Sequence, residues 1–153
     1  MPKTLNSDIT KLITKYLSIR EHSKLELSRK LSDKGYLNND IDDAIDEFST
    51  KDIQSDMRFT EDFIMSRLKK NKGPRLISAE LFARGIPERM IDEKLSMITT
   101  DAWHDRAATA LQKKLRGGML SINDKDKIYS FLISRGFEHK MIKCVVDEYK
   151  DER

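Results

Sequence analysis

Cysteine, proline and glycine are all scarce in this sequence, and each scarcity excludes something. One cysteine, Cys144, leaves no internal disulfide framework and fits a reducing compartment. Three prolines and six glycines in 153 residues are too few for a turn-rich β architecture. No run approaches the roughly 18–20 apolar residues that a membrane span needs, and the opening MPKTLNSDITK has no apolar leader core. A soluble, cytoplasmic, monomeric protein is the expectation. Metal-binding spacings of the CxxC or HExxH kind are missing, and His22, His104 and His139 lie far apart. Gly117–Gly118 lacks the lysine and serine of a phosphate loop. No cofactor, metal or catalytic activity is expected. Cys144, beside Val145 and Val146, reads as a half-buried core thiol.

What is present is helical periodicity under a heavily ionic surface. Apolar residues make up 38% and charged residues 36%, so the interior is thin. Gly35, Gly85 and Gly136 recur at nearly equal intervals, and the apolar positions align on them. Eight residues before each stand Leu27, Ile77 and Ile128, and four before it Leu31, Leu81 and Leu132. Tyr36, Ile86 and Phe137 follow directly; Ile41, Ile91 and Ile142 come six after, and Ile45, Leu95 and Val146 ten after. Residues four apart share a helix face, so each block reads helix, tight turn, helix. The glycine falls where a helix C-terminus takes up a left-handed residue. Asn38 or Asn39, Pro87 and Glu138 mark the following helix starts. A further amphipathic helix precedes each pair: Ile9, Leu12, Ile13, Tyr16 and Leu17; Phe59, Phe63, Ile64 and Leu68; Trp103, Ala107, Ala110, Leu111 and Leu115. The spacing predicts an all-α chain of three tandem three-helix repeats, 1–52, 53–100 and 101–153, in an elongated array.

Net charge is only +3, but it is unevenly laid out. Gly35 to Thr50 contains Asp40, Asp42, Asp43, Asp46 and Glu47 and no base. Phe63 to Ala79 contains Arg67, Lys69, Lys70, Lys72 and Arg75 and no acid. Arg106 to Asn123 is again free of acid and carries Lys113, Lys114 and Arg116. These eight cations are the candidate partner-binding residues, able to meet phosphates or an acidic protein surface. The bland alternative is that they offset helix dipoles at C-termini for a few tenths of a kcal/mol each. Trp103, Tyr129 and Phe131 could stack on bases, but at helical spacing with leucine and alanine they read as core. Sequence-specific reading by a helix-turn-helix is disfavoured, because the helix after the first turn is acidic.

The segment IREHSKLELSRKLSDKGYLNNDIDDAI, Ile19 to Ile45, resembles the opening repeat of the RecX family. DMRFTEDFIMSRLKKNKGPRLISAELFARGI, Asp56 to Ile86, is closer still, with its D-x-R-F helix and K-G-P-x-x-I-x-x-E-L run. KIYSFLISRGF, Lys127 to Phe137, is a looser match, and the Arg116 to Asp124 link matches no family pattern. The resemblance implies a regulatory protein of DNA repair, recombination and the SOS response. Its implied partner is the RecA recombinase filament on single-stranded DNA, whose assembly, ATPase and coprotease activities such proteins usually depress. The alternative is a helical module that binds DNA through phosphate contacts, and a passive scaffold is the third reading.

Overall fold

The computed structural model describes residues 2–152, with side chains from residue 7 onward. The side chains of residues 1–6, half of the stretch read above as lacking a leader, lie outside the described residues. The helices are α1 (Pro2–Ile19), α2 (Lys24–Asp33), α3 (Asn38–Thr50), α4 (Asp56–Lys69), α5 (Pro74–Ala83), α6 (Glu88–Leu95), α7 (Thr100–Arg116), α8 (Lys125–Ser134) and α9 (His139–Asp151). Among the described residues there is no strand, and no helix is long and apolar enough to cross a membrane.

Among the described residues, three separate cores hold the helices in threes. Ile9, Ile13, Leu27, Leu31, Ile41 and Ile45 centre the first; Phe59, Ile77, Leu81, Ile86 and Ile91 the second; Leu111, Ile128, Leu132, Phe137 and Ile142 the third. All five aligned columns therefore supply core residues, with Tyr36 and Leu95 half-buried at the edges. Trp103 on α7 packs against both the second and the third cores. The Gly117–Gly118 link is anchored by Ile122, which is buried in the third core. The accessible surface is 9831 Å², against about 8000 Å² for a compact protein of this mass. The excess is that of an open array.

The three turn glycines are left-handed, with φ of +92°, +83° and +102° at Gly35, Gly85 and Gly136. In each turn the next residue's N–H bonds back to the leucine four before the glycine: Tyr36 to Leu31, Ile86 to Leu81 and Phe137 to Leu132. Each glycine N–H reaches the carbonyl three residues back, which completes the Schellman pattern. The following helices start within a residue of the expected places, at Asn38, Glu88 and His139, but without the side-chain caps. Leu37, Pro87 and Glu138 are the N-caps, and none makes a side-chain cap bond. Packing of Ile41, Ile91 and Ile142, not capping, fixes these helices.

Neighbouring bundles dock by one repeated device. The start of one bundle's second helix abuts the turn that ends the next bundle's second helix. At the first junction the Ser23 hydroxyl accepts from the Glu26 N–H and donates to the Arg84 carbonyl at 2.8 Å. Glu26 in turn accepts from the Ser23 N–H, closing a capping box. At the second junction the N–H groups of Gly73 and Arg75 donate to the Arg135 and Gly136 carbonyls at 2.6 and 3.0 Å. Pro74 stands between them, at the one position whose missing N–H is not needed. Each contact sets the positive end of one helix against the negative end of another.

The motif residues cluster at the first junction. Arg58 spans Glu21 and Asp52 at 3.0 and 3.1 Å and also holds the Asp52 and Ile53 carbonyls. Asp56 accepts from the Lys24 N–H and from Gln54. His22 is 2% exposed, with Nδ1 2.9 Å from the Arg20 carbonyl and Nε2 3.0 Å from Lys30 Nζ. That arrangement demands a neutral ring protonated on Nδ1, because Lys30 can only donate. Burial pushes its pKa below the ordinary 6.5, and the charges of Arg20 and Lys30 add to the push. The unfolded chain therefore takes up a proton before the folded one does as pH falls through 6.5, so the fold loses stability. Burial raises the Glu26 carboxyl, but bonds from Arg20 and the Ser23 N–H outweigh it and hold the pKa below 4.5. Its own loss starts only at that lower pH. The urea midpoint should thus fall between neutral pH and about pH 5, and His22→Gln should flatten that slope. A wild-type midpoint constant over the interval would contradict the neutral His22.

Candidate partner-binding groove

The cleft between the first two bundles and the cleft between the last two are built alike and charged differently. Arg20, Glu26, Arg67 and Arg84 line the first, and its cations are neutralised in place. Arg20 and Arg84 reach Glu26 at 3.0 and 3.8 Å. Arg67 pairs with Glu80 at 3.0 Å and stacks over Phe63. The second cleft receives Lys69 and Lys70 from the end of α4, Lys113 and Lys114 from the end of α7, and Phe131 and Arg135 from α8. No acid lines it. Two basic windows some forty residues apart in sequence thus converge on one groove.

Three local causes produce that convergence. Asn71 takes a left-handed φ of +57° and ends α4, so the chain turns sharply after Lys70. Arg106 on α7 donates to the Asn71 side chain at 3.3 Å, fixing the end of α4 against α7. The Gly73–Gly136 contact then brings the end of α8 up to the same place. Lys114 Nζ and the Arg135 guanidinium lie 4.9 and 5.1 Å from the Phe131 ring centre. Phe131 packs against the third core, as the sequence suggested, yet it also lines the groove.

The structure sorts the eight candidate cations. Lys69, Lys70, Lys113 and Lys114 are exposed and line the groove. Lys72 sits beside them, half-buried, and burial together with the Arg135 charge lowers its pKa. Arg116 is exposed at the end of α7. Arg67 is taken up by Glu80, and Arg75 pairs with Glu138 at 3.3 Å across the second junction. Arg135 was not among the candidates; the signal for it was its place next to the third turn glycine, equivalent to Arg84. The reading of Cys144 needs correction: it is exposed, and its thiol faces Glu148 rather than the core. Ile142, Val145, Val146 and Tyr149 form the inward stripe of α9, and Cys144 falls outside it.

An all-helical array of three-helix units with a cationic groove at a bundle junction defines a helical-repeat protein. Family models give the chain's lineage: residues 14–48 match the first three-helix domain of RecX, and residues 55–95 the second. The regulatory protein RecX of Legionella pneumophila is 36% identical over 135 residues, covering 88% of this chain and 89% of that one. That of Chromohalobacter salexigens is 35% identical over 127 residues, 83% of each chain. The crystal structure of RecX from Lactobacillus salivarius superposes with a TM-score of 0.79 at 21% identity, covering 95% of this chain and 97% of that one. The chain belongs to the RecX family of regulatory proteins.

Proposed function

We propose that this protein binds the RecA filament on single-stranded DNA and depresses its recombinase, ATPase and coprotease activities. It acts as a monomer and by non-covalent contact rather than by catalysis. The observation that carries this reading beyond family membership is the groove between the second and third bundles. Five cations, Lys69, Lys70, Lys113, Lys114 and Arg135, face it without a carboxylate among them. Dipole compensation accounts for lysines at the ends of α4 and α7 one by one. It does not account for their meeting Arg135 across a bundle junction. Such a groove takes a strand of phosphates or an acidic protein ridge, and an open array can follow a filament over some length.

Sedimentation of this protein with RecA assembled on single-stranded DNA tests the reading. The expected result is co-sedimentation that weakens as salt rises from about 50 to 200 mM. Phe131 between two cations favours a second reading, direct binding of single-stranded DNA through phosphates and one stacked base. On that reading DNA alone suffices, and engagement of all five cations gives a log–log salt slope of about −3.5. Failure to sediment with RecA filaments, alongside tight binding to bare DNA, would favour the second reading over the first.

A further inference from the structure

We propose that His104, Cys144 and Glu148 bind one divalent zinc ion, clipping α7 to α9 in the third bundle. The three side chains come from two helices and converge on a single point. His104 Nε2 lies 2.6 Å from Glu148 Oε2, and Cys144 Sγ lies 3.5 Å from Glu148 Oε1. One ligand atom from each of the three falls within 4.8 Å of the others. A tetrahedral zinc with bonds of about 2.0 Å to nitrogen and oxygen and 2.3 Å to sulfur sets its ligands about 3.3–3.6 Å apart. The Cys144–Glu148 contact is at that spacing through one carboxylate oxygen, the His104–Glu148 contact through the other has to open by about 0.7 Å, and the widest spacing of the set, up to 4.8 Å, has to close by about 1.3 Å.

The donor types select the metal. A thiolate with an imidazole and a carboxylate suits zinc and excludes magnesium and calcium, which take oxygen ligands. Cys144 and Glu148 are four apart on α9, so both project from the same face one turn apart. Asp105 Oδ1 stands 4.0 Å from His104 Nδ1, the nitrogen left over when Nε2 binds metal. That is too long for a hydrogen bond, and a shift of about 1 Å would bring the carboxylate into the place where it fixes the tautomer of a metal-bound histidine. Trp103, Asp101 and Met141 line the cleft in front, where a water completes four-coordination. Among the described residues of that lining, Lys140 stands against Asp101, Glu138 and Glu148. A plain cross-helix hydrogen bond would explain His104 and Glu148. It leaves unexplained an exposed thiol placed at the same point. On binding, the thiol gives its proton to solvent and sulfur donates the electron pair of the new bond.

The test uses the full chain, stripped of metal and fully reduced, titrated with zinc chloride and separately with cobalt chloride. One zinc per chain is expected, with a higher melting temperature that EDTA reverses. Cobalt should show a thiolate charge-transfer band that Cys144→Ser abolishes. His104→Ala and Glu148→Gln should each weaken zinc binding tenfold or more, and Asp105→Asn by about tenfold. His139→Ala should bind as the wild type does. All these positions are exposed or half-exposed, and the circular dichroism of each variant reports that it is folded. Substoichiometric zinc uptake by the folded wild type would overturn the site, as would undiminished binding in folded Cys144→Ser or His104→Ala. The outcome is independent of RecA.

Discussion

Gly136→Ala should be the most destabilising of the alanine substitutions at the three turn glycines, and Gly35→Ala the mildest. Both glycines are left-handed, so each alanine costs about 1 kcal/mol in backbone strain. They differ in what the new Cβ meets. At Gly35 nothing lies within 4 Å. At Gly136 it would sit 2.6 Å from both the Leu76 Cβ and the Leu76 backbone nitrogen, and 2.9 Å from the Gly73 carbonyl. Backbone cannot step aside as a side-chain tip can, and overpacking of this kind adds about 1–3 kcal/mol. The total is about 2–4 kcal/mol for Gly136→Ala against about 1 kcal/mol for Gly35→Ala. Gly85 is intermediate, because its Cβ would strike the Leu25 side chain at 2.7 Å. Gly73→Ala isolates the docking term: its φ of −93° suits any residue, yet its Cβ would lie 2.5 Å from the Gly136 carbonyl group. In an array each interface couples its neighbours, so loss of this one should let the third bundle open on its own. Hydrogen exchange should show faster exchange in α8 and α9 of Gly136→Ala and Gly73→Ala, with α1 to α3 unchanged. Equal melting temperatures for Gly35→Ala and Gly136→Ala would mean that the bundles do not dock through this turn.

The repeat was legible because its signal is local. Glycine spacing and apolar columns at four-residue intervals need only neighbours on one helix, and they named the core residues of all three bundles. Junction chemistry was not legible in the same way. Arg20, Glu21, His22, Ser23, Asp56 and Arg58 stood out only as a family pattern; their work is to join the first bundle to the second. Ser23 meets Arg84 sixty-one residues away, and no periodicity announces such a contact. The groove was half legible: acid-free windows pointed to Lys69, Lys70, Lys113 and Lys114, while Arg67 was drawn off by Glu80 on the next helix. Arg135 and Phe131 joined the groove through the docking of α8. Cys144 could have been placed correctly, since it lies about 100° from Val145 and away from the Ile142–Val146 stripe.

Reversing charge in the groove should abolish binding to the RecA filament while leaving the fold intact. Lys70→Glu with Lys113→Glu puts two carboxylates where five cations now face solvent, a change of four units of charge. Both lysines are exposed and sit at helix C-termini, so the stability loss should stay within about 1–2 kcal/mol. Loss of attraction and new repulsion should together weaken partner binding at least a hundredfold at low salt. The control is Asp42→Lys with Asp46→Lys on the exposed face of α3, far from the groove in sequence and charge. It should bind as tightly as the wild type or slightly more so. Reversal of Arg67, by contrast, should destabilise the second bundle, because it strands Glu80 and uncovers Phe63.

The most direct measurement is RecA's single-stranded-DNA-dependent ATPase, followed with wild-type protein and with the folded Lys70→Glu, Lys113→Glu double variant. The account predicts that wild type depresses the rate, less so as salt rises, and that the double variant leaves the rate untouched. A folded double variant that depresses the ATPase at wild-type concentrations, or a wild type without effect at any ratio, would contradict it.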